Sequence, residues 1–176
     1  MRIITGAYKG RNLALVPGRG TRPTTSFNRE MLFSVHQDYQ NKRVLDLFAG
    51  TGSFGLEALS RGAVWVDFVE FAPPAIGTLL HNIHLLGVGD CCHIWRKRVE
   101  AYLKTCTETY DIIFMDPPYN KNLVNPSLRL IYDRELLNDD GLIVIEHSPK
   151  EMLDDEFSQK RQSYKSSKSS SFSWLS

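Results

Sequence analysis

Short apolar runs alternate with helix-like stretches from residue 44 onward, and a glycine-rich turn directly follows the first run. These two observations predict an α/β fold, a doubly wound and mostly parallel sheet covered by helices on both faces, because apolar runs at this spacing imply βαβ units. The length of 176 residues fits one such domain.

The elements follow in order. Residues 1–23 are glycine- and arginine-rich, and their short alternating pieces, Arg2-Ile3-Ile4 and Asn12-Leu13-Ala14-Leu15-Val16, predict a β-hairpin arm. Residues 24–37 read as an amphipathic helix burying Met31, Leu32 and Val35. Val44-Leu45-Asp46-Leu47-Phe48 is a buried-strand pattern, followed by a helix over 53–61. A second strand is expected over 64–70, then a helix over 75–86 that starts from Pro73-Pro74 and stops near Gly87. A third strand over 91–95 precedes a helix at 99–105, and a fourth over 112–115 precedes a loop and a helix at 126–137. The fifth, over 142–145, follows an Asp140-Gly141 turn. The tail from Phe157 reads as an antiparallel hairpin with a serine-rich connection over 166–171, since Phe172, Trp174 and Leu175 are costly to leave in water.

Composition narrows the function classes. With 42% hydrophobic and 23% charged residues, the chain has enough apolar material for a core and is not a disordered segment. Its apolar runs fall far short of the roughly 20 residues a membrane span needs. The opening Met1-Arg2-Ile3-Ile4-Thr5-Gly6 lacks a secretory pattern, so a cytoplasmic location is expected. Cys91, Cys92 and Cys106 have no metal-ligand spacing and read as buried thiols; the five histidines are scattered, so no metal is expected. Phe27, Tyr39 and Trp65 read as packing aromatics. The net charge of +1 conceals an asymmetry: residues 1–43 carry +6, residues 44–156 carry −9 and residues 157–176 carry +4. Basic ends suit a polyanion such as nucleic acid, although a solvated face gives the same count.

Two motifs carry chemistry. In Asp46 to Gly55, glycines stand where backbone must approach a ligand. Gly50, Gly52 and Gly55 fit a dinucleotide fingerprint, with Glu70 twenty residues beyond Gly50. Asp46, however, sets a negative charge where a pyrophosphate would lie. The same carboxylate suits the ammonium and sulfonium of S-adenosylmethionine, with Glu70 taking the ribose hydroxyls. The second motif, Asp116-Pro117-Pro118-Tyr119, ends the fourth strand at the ligand-binding edge of the sheet. An exocyclic amine of a nucleobase is a poor nucleophile, because its lone pair is delocalised into the ring. The Asp116 carboxylate and the Pro117 carbonyl can accept its two N–H groups, the prolines stiffen the backbone, and Tyr119 can stack on an extruded base.

On these residues the chain resembles the RsmD-type ribosomal RNA methyltransferases. The resemblance also includes Arg2-Ile3-Ile4-Thr5-Gly6 with Lys9-Gly10-Arg11, Arg22-Pro23-Thr24-Thr25 with Arg29 to Phe33, Glu57 to Ala63, Phe68-Val69-Glu70 and Gly141-Leu142-Ile143. It implies a seven-stranded sheet with an antiparallel last pair, S-adenosylmethionine as cofactor, and methyl transfer to the N2 amine of a guanine in small-subunit (16S) ribosomal RNA. The chain is then one domain over 1–176, a basic arm at 1–23 and a catalytic core at 24–176, expected to act as a monomer on an assembled or partly assembled subunit. Catalytic roles fall to Asp116, Pro117, Pro118 and Tyr119. The cofactor set is Thr24, Asp46, Phe48, Gly50, Thr51, Gly52, Gly55, Glu70, Phe71, Arg98 and Val99. RNA contacts fall to Arg2, Lys9, Arg11, Arg19, Arg22 and Arg29. The chain departs from the family at Ser26-Phe27-Asn28, and at Arg98, where an acidic or amide contact to adenine is common. Two other functions use the same residues or fold: an adenine-N6 or cytosine-N4 DNA methyltransferase, disfavoured because 176 residues leave no room for a recognition domain, and a non-catalytic RNA-binding protein.

Overall fold

The structure, a computed structural model, describes residues 1–17, 30, 32, 33, 35, 36, 38–167 and 170–176. Its frame is a seven-stranded sheet built from β1 (Arg43–Leu47), β2 (Trp65–Val69), β3 (Cys92–Trp95), β4 (Tyr110–Met115), β5 (Leu137–His147), β6 (Arg161–Ser166) and β7 (Ser171–Leu175). The order is β3-β2-β1-β4-β5-β7-β6, parallel as far as β5, with β7 antiparallel to both neighbours. Helices among the described residues include α1 (Ser53–Ser60), α2 (Pro73–Leu86), α3 (Val99–Leu103), α4 (Val124–Asp133) and α5 (Asp155–Ser158), and residues 30, 32, 33 and 35, within the helix expected over 24–37, are helical. No helix among the described residues is long and apolar enough to cross a membrane.

Alternation along the strands sorts the apolar side chains into two cores. Val44, Val66, Phe68, Phe114, Val144 and Trp174 lie on one side with α1, α2 and the N-terminal segment. Leu45, Leu47, Val69, Ile113, Ile143 and Ile145 lie on the other with α3 and α4. The buried Asp67 carboxylate, on the second of these faces, is fully employed, accepting from the Trp65 and Trp95 indoles at 3.0 and 2.8 Å and from the Tyr110 hydroxyl at 2.9 Å.

The structure corrects several expectations. The expected hairpin is short: an antiparallel Arg2–Asn12 bridge, with backbone bonds from the Ile3, Leu13 and Gly10 amides to the Arg11, Met1 and Ile3 carbonyls, pairs its two pieces, and residues 18–23 of the arm lie outside the described residues. Its backbone also bonds α1, where the buried Glu57 accepts from the Ile4 and Thr5 amides at 2.7 and 3.0 Å. Asp140-Gly141 is not a turn but lies within β5, which pairs with β4 from Leu137 and shifts register between Tyr110 and Ile112. The helix expected to reach residue 137 therefore ends at Asp133. In the segment before β1, Leu32 and Phe33 are buried but Val35 is 37% exposed; Met31 and Phe27 lie outside the described residues. Cys106 is buried as expected, whereas Cys91 is exposed.

Candidate active site

Parallel pairing sets Asp46 of β1 level with Phe114 of β4, and Met115 level with Ile145 of β5. Level residues share a face, as do residues two apart on a strand. Asp46, Asp116 and Glu146 therefore reach one face at three neighbouring strand ends. They line a small cleft of about 50 Å³ with Phe48, Phe54 and Phe114. Phe54 stacks on Phe114 at 4.0 Å between centroids and on Phe33 at 5.0 Å, forming a rigid aromatic wall. Phe48, also in the lining, takes φ 59°, a left-handed conformation that L side chains rarely adopt.

The three carboxylates are held in an environment that favours their protonated forms. Asp46 is 1% exposed and accepts the Gly55 N–H at 3.0 Å. Burial pushes its carboxyl up to about 8, opposed by that hydrogen bond and assisted by the Glu70 charge. Asp116 is half-buried and accepts no hydrogen bond among the described residues; burial, then the charges of Glu146 and Asp46, hold it well above the usual carboxylate range. Burial also raises Glu146, against the hydrogen bonds from Ser170 and Tyr119. Like charges crowded under low dielectric resist joint ionisation, and an incoming cation relieves that repulsion. The lining thus suits a cationic ligand with apolar surface, the chemistry of the expected sulfonium cofactor. A pyrophosphate would add its negative charges to this acidic cluster, which disfavours the dinucleotide alternative.

Glu70 follows β2 and is nearly buried. Its Oε1 accepts from the Phe71 and Ala72 amides, both at 2.8 Å, and its Oε2 from Gly50 at 2.9 Å, which ties the glycine-rich turn to the start of α2. Oε2 retains acceptor capacity for a ribose hydroxyl. Within the turn, Gly52 takes φ 76°, and a Cβ there would lie 2.3 Å from Leu79. Gly55 serves a different purpose from the ligand approach expected of it. A Cβ on it would lie 2.4 Å from Phe68 and 2.7 Å from Val66, so it is glycine to let α1 rest on β2.

The remaining expected residues fall into three groups. Phe71 and Arg98 are exposed at the ends of β2 and β3, with the Arg98 guanidinium 4.6 Å over the Phe71 ring; they meet each other outside the carboxylate-lined cleft. Val99 is buried beside Tyr102 and Leu103. In the catalytic motif Pro117 is buried, Pro118 exposed and Tyr119 half-buried. The Tyr119 hydroxyl donates to Glu146 Oε1 at 3.1 Å and lies 2.9 Å from Ser170 Oγ, so the ring is moored to β5 and to the β6–β7 turn. Arg2, Lys9 and Arg11 are exposed, while Arg19, Arg22, Thr24 and Arg29 lie outside the described residues.

Two residues of the site carry no signal in sequence. Glu146 follows an apolar run and reads as a strand exit until the β4–β5 register places it beside Asp116. Asn82, fully buried on α2, accepts from the Ala14 amide at 2.8 Å and donates to the carbonyls of Ala14 at 3.2 Å and Thr51 at 3.0 Å. It joins the N-terminal segment to the glycine-rich turn.

A sheet of this order, with a glycine-rich turn after β1, an acid after β2 and Asp-Pro-Pro-Tyr after β4, defines a methyltransferase-type α/β domain. The chain belongs to the family described as Conserved hypothetical protein 95, whose model matches residues 1–174. It is 36% identical over 152 residues to Ribosomal RNA small subunit methyltransferase D of Buchnera aphidicola, covering 86% of this chain and 80% of the relative. A solved structure of yhhF from Escherichia coli superposes with a TM-score of 0.87 at 28% identity, covering 99% of this chain and 96% of that one. The SAH-bound methyltransferase PaMTH1 of Podospora anserina superposes with a TM-score of 0.59 at 25% identity, covering 65% of this chain and 50% of that one.

Proposed function

We propose that this protein is an S-adenosylmethionine-dependent methyltransferase that modifies the exocyclic N2 amine of a guanine in small-subunit ribosomal RNA. The observation that carries this reading is the convergence of Asp116-Pro117-Pro118-Tyr119 with buried Asp46 at one sheet edge, in a cleft suited to a cation. The name of the Buchnera relative supplies the ribosomal substrate, and the SAH-bound Podospora structure supports the cofactor.

When bound, S-adenosylmethionine supplies a methyl group on a positively charged sulfur. Asp46 favours that charge by ionising in its presence, and the Gly50–Gly52 backbone gives the ligand room to approach. Glu70 Oε2 takes a ribose hydroxyl. Asp116 and the Pro117 carbonyl accept the N–H groups of the target amine and turn its lone pair toward the methyl, so that the rate comes from positioning and electrostatics. Tyr119 presents its ring to the extruded base, steadied through its hydroxyl. Arg2, Lys9 and Arg11, with Arg19, Arg22 and Arg29, contact RNA phosphates, each releasing counterions on binding. The protein acts as a monomer in the cytoplasm on an assembled or partly assembled subunit, whose folded RNA surface the short basic arm requires.

The test is transfer of labelled methyl to small subunits lacking the modification, to naked small-subunit RNA and to duplex DNA. Label recovered as N2-methylguanosine from RNA supports the reading, and label in DNA replaces it with the amino-methylating DNA alternative. Asp116→Ala should lower transfer at least about 1000-fold, the scale of losing one preorganised polar contact to the reacting group, while calorimetry shows cofactor binding retained. Near-normal turnover would refute the role of Asp116.

A further inference from the structure

We propose that Glu146 is the residue that selects guanine, by accepting the N1–H of the target base while Asp116 holds its N2 amine; this rests on the guanine-N2 reading above. Glu146 is 4% exposed, lines the cleft beside Asp116, and follows Ile145, which pairs with Met115, so the two carboxylates leave adjacent strands at the same level. One of its oxygens, Oε1, accepts from Tyr119. Ser170 also hydrogen-bonds the carboxylate, but two oxygens offer more acceptor sites than these two contacts use, and the group faces the cleft, so it can still accept from a donor that enters there.

The chemistry of the bases identifies that donor. Guanine presents N1–H and N2–H groups side by side on its Watson–Crick edge. Two acceptors on neighbouring strands match two neighbouring donors. Adenine N1 and cytosine N3 are themselves acceptors, and with Glu146 ionised once a cationic cofactor relieves the crowding of charge, either would confront its oxygen lone pair to lone pair in a desolvated site. Asp116 with the Pro117 carbonyl could grip any exocyclic amine, so these two alone do not discriminate among the three bases. Glu146 supplies the difference, and Tyr119, bound at Oε1, holds the carboxylate in place for the base.

The experiment replaces the methylated guanine, once mapped, with 2-aminopurine, which keeps the 2-amino group but carries an acceptor at N1. The unaltered protein should prefer guanine by about 10,000-fold in kcat/KM, as expected when a buried site loses its matching donor. Glu146→Gln presents an amide donor while its oxygen can still accept from Tyr119, and it should move that preference at least about 100-fold toward 2-aminopurine. A folded Glu146→Gln protein with an unchanged preference would overturn the inference, because a role confined to holding Tyr119 would slow both substrates alike. Should that variant fail to fold, the unaltered protein still decides: rates on the two substrates within about tenfold overturn the proposal. Methylation of RNA anywhere other than guanine N2 would defeat the function reading itself, which the digest in the same assay reports separately.

Discussion

Replacing Asp46 by Asn should stabilise the protein as pH rises and weaken its hold on the cofactor. The Asp46 carboxyl has a value of about 8 in the fold against 3.8 for the ordinary group. A group raised in this way favours the folded state at acid pH, and that contribution is lost progressively as pH rises from about 4 to about 8. Asn keeps an oxygen for the Gly55 N–H and never ionises. Between pH 5 and pH 8 the unaltered protein therefore loses stability that the variant keeps, about 4 kcal/mol over three units at about 1.4 kcal/mol each. For a domain of this size, 1 kcal/mol corresponds to about 2–4 °C in Tm, so the Tm advantage of Asp46→Asn should widen by about 8–16 °C over that interval. Thermal melts of both proteins in matched buffers at pH 5, 6, 7 and 8 provide the measurement, and groups common to both cancel in the difference. A gap constant across the range would refute the reasoning, since it would mean that Asp46 is ionised throughout. Cofactor titration of the same variant should show weaker binding at pH 8.

Three further outcomes follow from packing and hydrogen bonding. Gly55→Ala would drive a methyl to 2.4 Å from Phe68, and melts should show a loss of about 1–3 kcal/mol, the usual penalty of overpacking; an unchanged Tm would mean that α1 can shift off β2. Glu57→Ala leaves the Ile4 and Thr5 amides and the Arg61 guanidinium without their buried acceptor, for a loss of about 2–5 kcal/mol. Trypsin should then cut after Arg2, Lys9 or Arg11 much faster, and equal cutting rates would refute the anchoring role. Tyr119→Phe keeps the ring and removes its mooring to Glu146 and Ser170; kcat should fall about tenfold with cofactor affinity unchanged, whereas an unaltered kcat would show that the mooring is irrelevant to turnover.

How much of this was legible in sequence depended on whether a signal was local. Val44 to Phe48 and Ile112 to Met115 read as buried strands because both of their faces are covered, which makes them apolar on both faces apart from Asp46. Asp46, Glu70 and Asp116 stood out as candidates because each punctuates an apolar run beside glycines, prolines or a strand end. Glu146 was not, since its meaning comes from a register between two strands whose pairing no short window reveals. Asp140-Gly141 misled for the opposite reason: its turn propensity is real, but it is absorbed as an irregularity inside β5, where the register with β4 jumps from Leu137 to Leu142, and does not end the strand. Gly55 was found at the correct place for a different reason, because a motif spacing does not say whether a missing Cβ makes way for a ligand or for Phe68. Asn82 has no pattern at all; a buried amide on an amphipathic helix is visible only once the backbone groups it satisfies have been folded against it.

The position of β7 in the sheet bears on how the protein is made. It is the last strand in sequence, yet it lies between β5 and β6, against the edge of β5 that would otherwise stay open. Ser170, at the start of that strand, is also one of the two groups that moor Tyr119. During vectorial synthesis the five parallel strands and their helices can assemble as each emerges, but the β5 edge stays uncovered and Tyr119 half-tethered until residues 170–175 have cleared the ribosomal tunnel. The last tether of Tyr119 is thereby timed to the emergence of this segment, and a nascent chain stalled before it would hold Asp46 and Glu70 in their places with Tyr119 bound to Glu146 alone.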